Sequence, residues 1–386
     1  MRRHLTVLQP TPFCNINCSY CHLPLRNTRG RMSFGILRSA FRFVLRGGLN
    51  FTEYAMLWHA GEPTTVGVDF YKTATSILEE EVQPGQRVVQ SIQTNATLIS
   101  DQWVDFFRSA NIEVGVSIDG PKFLTDLHRV RRNNVGTYDE SVAGLRMLLA
   151  GGVPTSVIAV LTLDSMNHPD EIYDWCLEEG ITSIAFNPEE TEGVNKTSLH
   201  APEAESRYAG FLFRFLDRSR ADSFRIKVRE FVGCRSRILG YASDRSIFNH
   251  QVEPWAIINI DYRGNVSSFS PELLGHKDKH FSDFIFGNVG DTDLETCRKS
   301  ESFEKLATAI ARGVSECSNS CQYFQFCGGG APSNKYFEGG GFEITETVGC
   351  RFGQQIPLEV MLQFLQGHIS EPALVTLAPR VGGTRI

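Results

Sequence analysis

The sequence predicts an α/β fold, a partial (βα)6 barrel followed by a cysteine-rich α+β extension. Two observations predict it. Short β-rich runs alternate with helix-length amphipathic stretches through the first half of the chain. After about residue 222 that alternation gives way to turn-rich, then Cys- and Gly-rich sequence. Strand, helix, strand in regular succession means parallel βα units with right-handed crossovers. Six units suit a partly open barrel better than a closed eight-fold one, with a doubly wound sheet as the competitor.

The β-rich runs are Leu5–Leu8, Tyr54–Trp58, Val88–Ile92, Ile112–Ile118, Ser156–Leu161 and Ser183–Phe186. Between them, Phe34–Arg46, Asp69–Glu81, Asp101–Ala110, Asp139–Ala150 and Pro169–Glu179 have helical periodicity, and Glu203–Asp217 closes the series. Beyond a boundary near 222–235, Ala256–Val266 reads as strand around a Tyr262-Arg263-Gly264-Asn265 turn, and Glu301–Ala311 as helix. These readings divide the chain into a barrel (1–225), an extension (226–353), and a C-terminal helix, Pro357–Gln366, with its tail (354–386).

The chain has 386 residues, 41% of them hydrophobic, enough to bury a sizeable core. Lys plus Arg is 38 and Asp plus Glu is 44, a net charge of −6 that argues against broad nucleic-acid binding. A basic cluster at Arg129, Arg131 and Arg132 is the local exception. The N-terminus has no apolar run of signal-peptide length, and no stretch approaches the roughly 18 apolar residues of a membrane span. A cytoplasmic protein without membrane partners is the expectation, and its 10 cysteines are then ligands or core thiols rather than disulfides.

Cys14, Cys18 and Cys21 follow the first predicted strand, where a parallel barrel displays its active-site loops. Three thiolates at this spacing can hold three corners of an iron–sulfur cube and leave the fourth iron open to a small molecule. A zinc site, with His22 as fourth ligand, or three buried thiols are the alternatives. With Tyr20 just before the last Cys, the motif resembles the signature of the radical S-adenosylmethionine (AdoMet) superfamily. The resemblance implies a [4Fe–4S] cluster on Cys14, Cys18 and Cys21. It implies further that AdoMet chelates the open iron and is reductively cleaved to a 5′-deoxyadenosyl radical. It also implies a one-electron donor of flavodoxin or ferredoxin type.

Trp58-His59-Ala60-Gly61-Glu62-Pro63 is similar to the superfamily's Gly-Gly-Glu-Pro segment, with His-Ala before the retained Gly-Glu-Pro. Gly61 and Glu62 would then meet the methionyl ammonium. Gln93 and Asn95, ending the third strand, and Ser117 and Asp119, ending the fourth, fall where the family contacts the ribose and the methionyl group. Arg129, or Arg132, is the candidate carboxylate partner, because a guanidinium pairs in bidentate fashion. For each of these a solvated loop residue, or a helix cap in the case of Asp119, is the alternative.

Cys317, Cys321, Cys327 and Cys350 surround the Gly-rich loop Cys327-Gly-Gly-Gly-Ala331-Pro332, four thiolates that close a site completely. A structural zinc would use the same set. The segment resembles the SPASM extension of peptide-modifying radical AdoMet enzymes, which implies an auxiliary [4Fe–4S] cluster. Members with two auxiliary clusters carry further cysteines where this chain has Ala331 and Phe269, so one auxiliary cluster is expected. Cys176, Cys234 and Cys297 are left over as structural thiols, Cys234 with a ligand or substrate contact as its alternative.

Glu272, in Ser268-Phe269-Ser270-Pro271-Glu272-Leu273, lies beside the lost ligand position, where sulfatase-maturing relatives carry a catalytic acid. It is the first candidate for a proton acceptor and Asp261 the second. At finer grain the chain resembles SPASM enzymes that install three-residue cyclophanes in ribosomally made precursor peptides. The stretches that carry this likeness include Cys-Asn-Ile-Asn-Cys, Val-Gly-Val-Ser-Ile-Asp-Gly-Pro, Phe-Ser-Pro-Glu-Leu and Cys-Gly-Gly-Gly-Ala-Pro. That resemblance implies a bond from an aromatic ring carbon to the β-carbon of a residue two positions later. Thioether formation, Cys or Ser oxidation as in sulfatase maturation, and a zinc-stabilised binding protein are the other readings. With 13 residues before Cys14, a peptide leader is expected to be held by the barrel or extension surface or by a separate protein.

Overall fold

The computed structural model describes residues 3–242 and 248–367; the C-terminal tail from 368 to 386 lies outside them. In chain order the first half runs β1 (Arg3–Leu8), α1 (Phe34–Leu45), β2 (Glu53–Trp58), α2 (Val68–Glu81), β3 (Arg87–Thr94), α3 (Asp101–Ser109) and β4 (Glu113–Ser117). It continues through α4 (Lys122–His128), α5 (Tyr138–Ala150), β5 (Thr155–Leu161), α6 (Pro169–Glu178), β6 (Ser183–Pro188) and α7 (Ala204–Ala221). Next come β7 (Lys227–Val228), α8 (Arg229–Ala242), β8 (Ile257–Ile260), β9 (Asn265–Ser268), β10 (Gly287–Asn288) and α9 (Leu294–Arg298). The chain then runs through α10 (Glu301–Ser320), α11 (Phe324–Cys327), α12 (Pro332–Gly339), α13 (Val348–Cys350) and α14 (Ile356–Leu365).

The strands form one sheet in the order β10-β9-β8-β1-β2-β3-β4-β5-β6-β7. β1 to β7 pair in parallel with their sequence neighbours, which places every strand's C-terminal end on the same rim. The six expected strands are all present within two residues at each end. Each helix lays an apolar stripe on the sheet. In α1, Ser33 caps the first turn by accepting from the Ile36 N–H, and Leu37, Ala40, Phe41 and Val44 are buried.

The extension does not begin a new sheet. β8 pairs in parallel with β1, Leu5 opposite Ile257, and turns back through Asp261–Gly264 into antiparallel β9. β8 is buried at all four positions, so its strand character was legible, but its partner was not. β7, two residues long, is too short to show a period and was missed, as were the seven-residue α4 and all of α8. Helix α10 runs on to Ser320, well past Ala311, and so carries Cys317 in its last turn with Cys321 as its C-cap. That explains the unusual gap between them: residues four apart share one face of a helix.

The turn after β2 holds Ala60 at φ 69°, left-handed backbone in which an L side chain costs about 1–2 kcal/mol. Ala60 occupies the position of the first Gly in Gly-Gly-Glu-Pro. Ala60→Gly should raise urea-unfolding stability by about 0.5–1 kcal/mol, the relief of strain less the added chain entropy of glycine. A loss of stability would contradict the strained turn.

Candidate active site

The cysteine loop after β1 is hung from the segment that follows α4. The Asn17 N–H donates to the Val130 carbonyl at 2.6 Å and the Ser19 N–H to the His128 carbonyl at 3.0 Å. Arg132 Nη2 donates to the carbonyls of Cys14 and Arg26, and Arg26 Nη1 to that of Cys18 at 2.8 Å. Arg132 therefore holds the loop rather than a ligand, a correction to its candidacy as a carboxylate partner.

Beside the loop, at the C-terminal rim of the parallel strands, lies a cavity of about 300 Å³, at the small end of the range for ligand pockets. Cys14, Cys18 and Cys21 line it together with Gly61, Glu62, Gln93, Asn95, Ser117 and Arg129, all expected to gather there. Gly61 is at φ 66°, and a Cβ on it would stand 2.5 Å from the Thr11 carbonyl oxygen and 2.7 Å from that of Phe13. Only glycine allows the two loops this approach, which the Glu62 N–H seals by donating to the Phe13 carbonyl at 2.7 Å.

Glu62 is buried and joins two strand ends. Its Oε1 accepts from Thr64 and from Thr94 Oγ1, and its Oε2 from the Asn95 N–H at 2.8 Å. Gln93 Nε2 donates to Ser117 Oγ at 2.7 Å. Asn95 Nδ2 donates to Asn15 Oδ1 at 2.9 Å, and Asn15 in turn donates to Thr97, a brace that the sequence did not reveal.

Asp119 differs from expectation. It does not line the cavity but stands behind it, one oxygen accepting from Arg129 Nη2 and from the Val160 N–H, each at 2.9 Å, the other from Tyr20 Oη at 2.6 Å. Arg129 is 5% exposed, and burial lowers its pKa less than Asp119 and Tyr20 raise it, so the guanidinium stays charged. Its Nε is buried without a protein partner. An orphaned, charged donor on a residue lining this cavity matches a ligand carboxylate.

The opposite wall is acidic. Glu189, Glu190, Glu192 and Glu272 line the cavity with His22, whose Nδ1 lies 3.9 Å from Glu192. Burial pushes Glu272 up to about 7, against a backbone hydrogen bond and with Glu190 adding to the rise. Glu192 is held well above the usual carboxylate range by burial, then by Glu272 and Glu190. Glu190, Glu192 and Glu272 each disfavour ionisation of the others, because like charges are confined together. The sequence reading missed the three that follow β6; the signal was available, since every parallel strand ends at this rim.

Asp261 is a correction. Its carboxylate accepts from the N–H groups of Arg263 and Asn265 and from Asn265 Nδ2, capping the β8–β9 turn, and it does not line the cavity. An Asp three residues before the turn glycine serves the turn first.

The second thiol set lies close together in the C-terminal part of the chain. Cys317, Cys321 and Cys327 all act electrostatically on Cys350, and burial with these neighbours pushes Cys350 up to about 12. Gly328, Gly329 and Gly330 all have positive φ and wrap the loop so that the Gly330 N–H donates to Cys327 Sγ at 3.1 Å. Phe269, at a lost ligand position, is fully buried and stacked 5.9 Å from Phe303. Cys176, Cys234 and Cys297 are buried in the core, which fits structural roles.

Sequence and structure comparisons agree with this geometry. The profile of the radical SAM superfamily matches residues 8–176. The uncharacterized protein sll1766 of Synechocystis is 36% identical over 94% of this chain and 92% of its own length. The chain belongs to the radical SAM superfamily. It is an enzyme of that superfamily, whose members bind a [4Fe–4S] cluster and AdoMet. The cysteine-type anaerobic sulfatase-maturating enzyme of Clostridium novyi is 24% identical over 83% of the chain and 86% of its own.

Among solved structures, anSMEcpe with bound AdoMet and Cp18Cys peptide superposes with a TM-score of 0.76 at 20% identity, covering 95% of this chain and 99% of that one. Streptococcus suis SuiB bound to precursor peptide SuiA superposes at 0.64 and 18%, covering 90% and 76%. Those two likenesses establish the fold.

The residues present fit the superfamily's cofactors. Burial, then Glu62, pushes the Cys14 thiol up to about 12, and burial pushes Cys18 up to about 11 even against Arg129. A bound iron centre would turn these neutral thiols into thiolates, because a cation favours the deprotonated sulfur.

Asp119→Ala strands the Arg129 charge and the Tyr20 hydroxyl. It should cost roughly 3–5 kcal/mol in urea unfolding and lower iron uptake at the first site. Asp261→Asn should cost about 1 kcal/mol and leave AdoMet cleavage at the wild-type rate. Equal stability of Asp119→Ala and wild type would refute the anchor.

Proposed function

We propose that this radical SAM enzyme is a SPASM-type peptide maturase that crosslinks a ribosomally made precursor peptide, joining an aromatic ring carbon to a β-carbon. One observation carries the reading: Glu272, raised to about 7, lines the same cavity as Cys14, Cys18 and Cys21. Cys14, Cys18 and Cys21 would hold the cluster that binds AdoMet, and Cys317, Cys321, Cys327 and Cys350 one auxiliary [4Fe–4S] cluster. Bound there, the first cluster and AdoMet supply a 5′-deoxyadenosyl radical able to take a hydrogen atom from an unactivated C–H bond.

The chain's own residues bind, orient and take up a proton. The unpartnered Nε of Arg129 would pair with the AdoMet carboxylate, Gly61 and Glu62 would meet the methionyl ammonium, and Gln93 and Ser117 the ribose. Asp119 acts indirectly, by holding Arg129 and Tyr20. Closing the crosslink removes two hydrogens from the peptide: one as an atom, the other as a proton and an electron. Glu272 would hold that proton, and a carboxyl near 7 is matched to the task at neutral pH.

A second reading, oxidation of Cys or Ser as in sulfatase maturation, draws on the Clostridium novyi relative. The buried, stacked Phe269 and Ala331 at lost cluster positions weigh against it. Zinc-stabilised binding without catalysis falls with membership of the superfamily. A flavodoxin- or ferredoxin-type donor and a cytoplasmic setting complete the proposal. All ten cysteines are free, and among the described residues no helix is long and apolar enough to cross a membrane.

Anaerobically reconstituted wild type should contain about eight iron and eight sulfide, and the Cys14→Ala, Cys18→Ala, Cys21→Ala variant about four of each. Only wild type should release 5′-deoxyadenosine from AdoMet; release by the variant would sink the assignment of these cysteines. Glu272→Gln should lower peptide crosslinking by at least about 100-fold while 5′-deoxyadenosine release persists. Because burial raises this carboxyl, it is protonated below about 7 and becomes a base above it. Crosslinking should therefore rise with pH through about 7 in wild type, and a flat profile would remove Glu272 from this role.

A further inference from the structure

The C-terminal thiols are built around a lysine. Lys335, in the first turn of α12, is 4% exposed. Its Nζ donates to the Gly313 carbonyl at 2.8 Å and to Cys317 Sγ at 3.2 Å, a carbonyl and a thiol with no carboxylate between them. Its stem runs along a crevice lined by Ile310, Val314, Pro332 and Phe342. A buried ammonium is costly unless a negative charge compensates it. The seat is nevertheless specific. A Cβ on Gly313 would stand 1.9 Å from the Phe342 carbonyl oxygen and 3.2 Å from Lys335 Nζ, so α10 carries glycine where the ammonium docks.

A carbonyl dipole alone is a poor reason to bury a charge, and a neutral thiol is a poorer acceptor still. Both become favourable when the sulfur is an iron-bound thiolate. Hydrogen bonds and net charge at cluster sulfurs set reduction potentials, and a positive donor favours the form carrying the extra electron.

We infer that Lys335 is the counter-charge of the C-terminal cluster site, donating to the Cys317 sulfur and raising the reduction potential of the iron–sulfur group held there. This rests on the reading of Cys317, Cys321, Cys327 and Cys350 as ligands of one auxiliary cluster. Lys335 acts through Cys317 and is a positioning residue. Its consequence for the proposed reaction is direct, since a higher potential suits a site that takes an electron from the peptide as Glu272 takes the proton.

The test uses the full chain with Cys14, Cys18 and Cys21 changed to Ala, so that one cluster remains, and reads iron, sulfide and midpoint potential by dithionite titration. Lys335→Met and Lys335→Gln should retain about four irons, with the one-electron reduction constant lowered roughly tenfold, about 59 mV more negative. Lys335→Arg, which keeps the charge, should stay within about threefold of the parent. An unchanged potential in both neutral variants would overturn the inference. So would loss of the cluster in Lys335→Met with Lys335→Gln loaded at the parent potential, since Lys335 would then be structural only. A parent that takes up no iron would remove the auxiliary cluster itself, and iron content distinguishes that failure from the others.

Discussion

The Asp119 carboxylate is the joint on which the catalytic rim depends. It sits just beyond β4 and reaches three other places: the Val160 N–H of β5, Arg129 after α4, and Tyr20 inside the cysteine loop. A loop after β1 has no reason of its own to hold three thiols at fixed positions, because its backbone makes few bonds within itself. Here a buried ion pair and a short phenol–carboxylate bond fix it to the far strands. The same pair leaves Arg129 Nε unpartnered at the cavity, so one interaction both positions the cluster loop and prepares a site for an anion.

Much of this was legible in the sequence because the signals were local or chemical. Strand–helix alternation gave six parallel strands to within two residues, and spacing alone grouped Cys14, Cys18 and Cys21. What remained hidden depends on contacts between distant segments. Asp119 reads as a helix cap or a ligand contact, and nothing in its surrounding sequence reveals Tyr20 as its partner. Asp261 shares its residue type with a catalytic base, but the turn it caps uses both of its oxygens. Glu192 was passed over although the strand before it had been recognised, because an acidic residue in a loop resembles any solvated one until burial is known.

The second thiol site shows how far an unusual spacing can be explained. The three-residue gap between Cys317 and Cys321 follows from the length of α10, a long-range property of packing that local periodicity underestimated. Phe269 is absorbed into an aromatic group with Phe303, Trp255 and Phe286. Glu272, three residues on, lines the cavity.

The central claim is that this cavity performs radical crosslinking with Glu272 as proton acceptor. The most direct measurement is mass spectrometry of a precursor peptide co-produced with the enzyme, its residues deuterated at the β-carbon, with 5′-deoxyadenosine collected from the same reaction. The account predicts deuterium in the 5′-deoxyadenosine and a peptide lacking one deuterium and one hydrogen, its cysteines still open to alkylation. Deuterium transfer with protected or oxidised thiols, or with a serine converted to an aldehyde, would contradict the crosslink and assign the cavity to the chemistry of the sulfatase-maturating relatives.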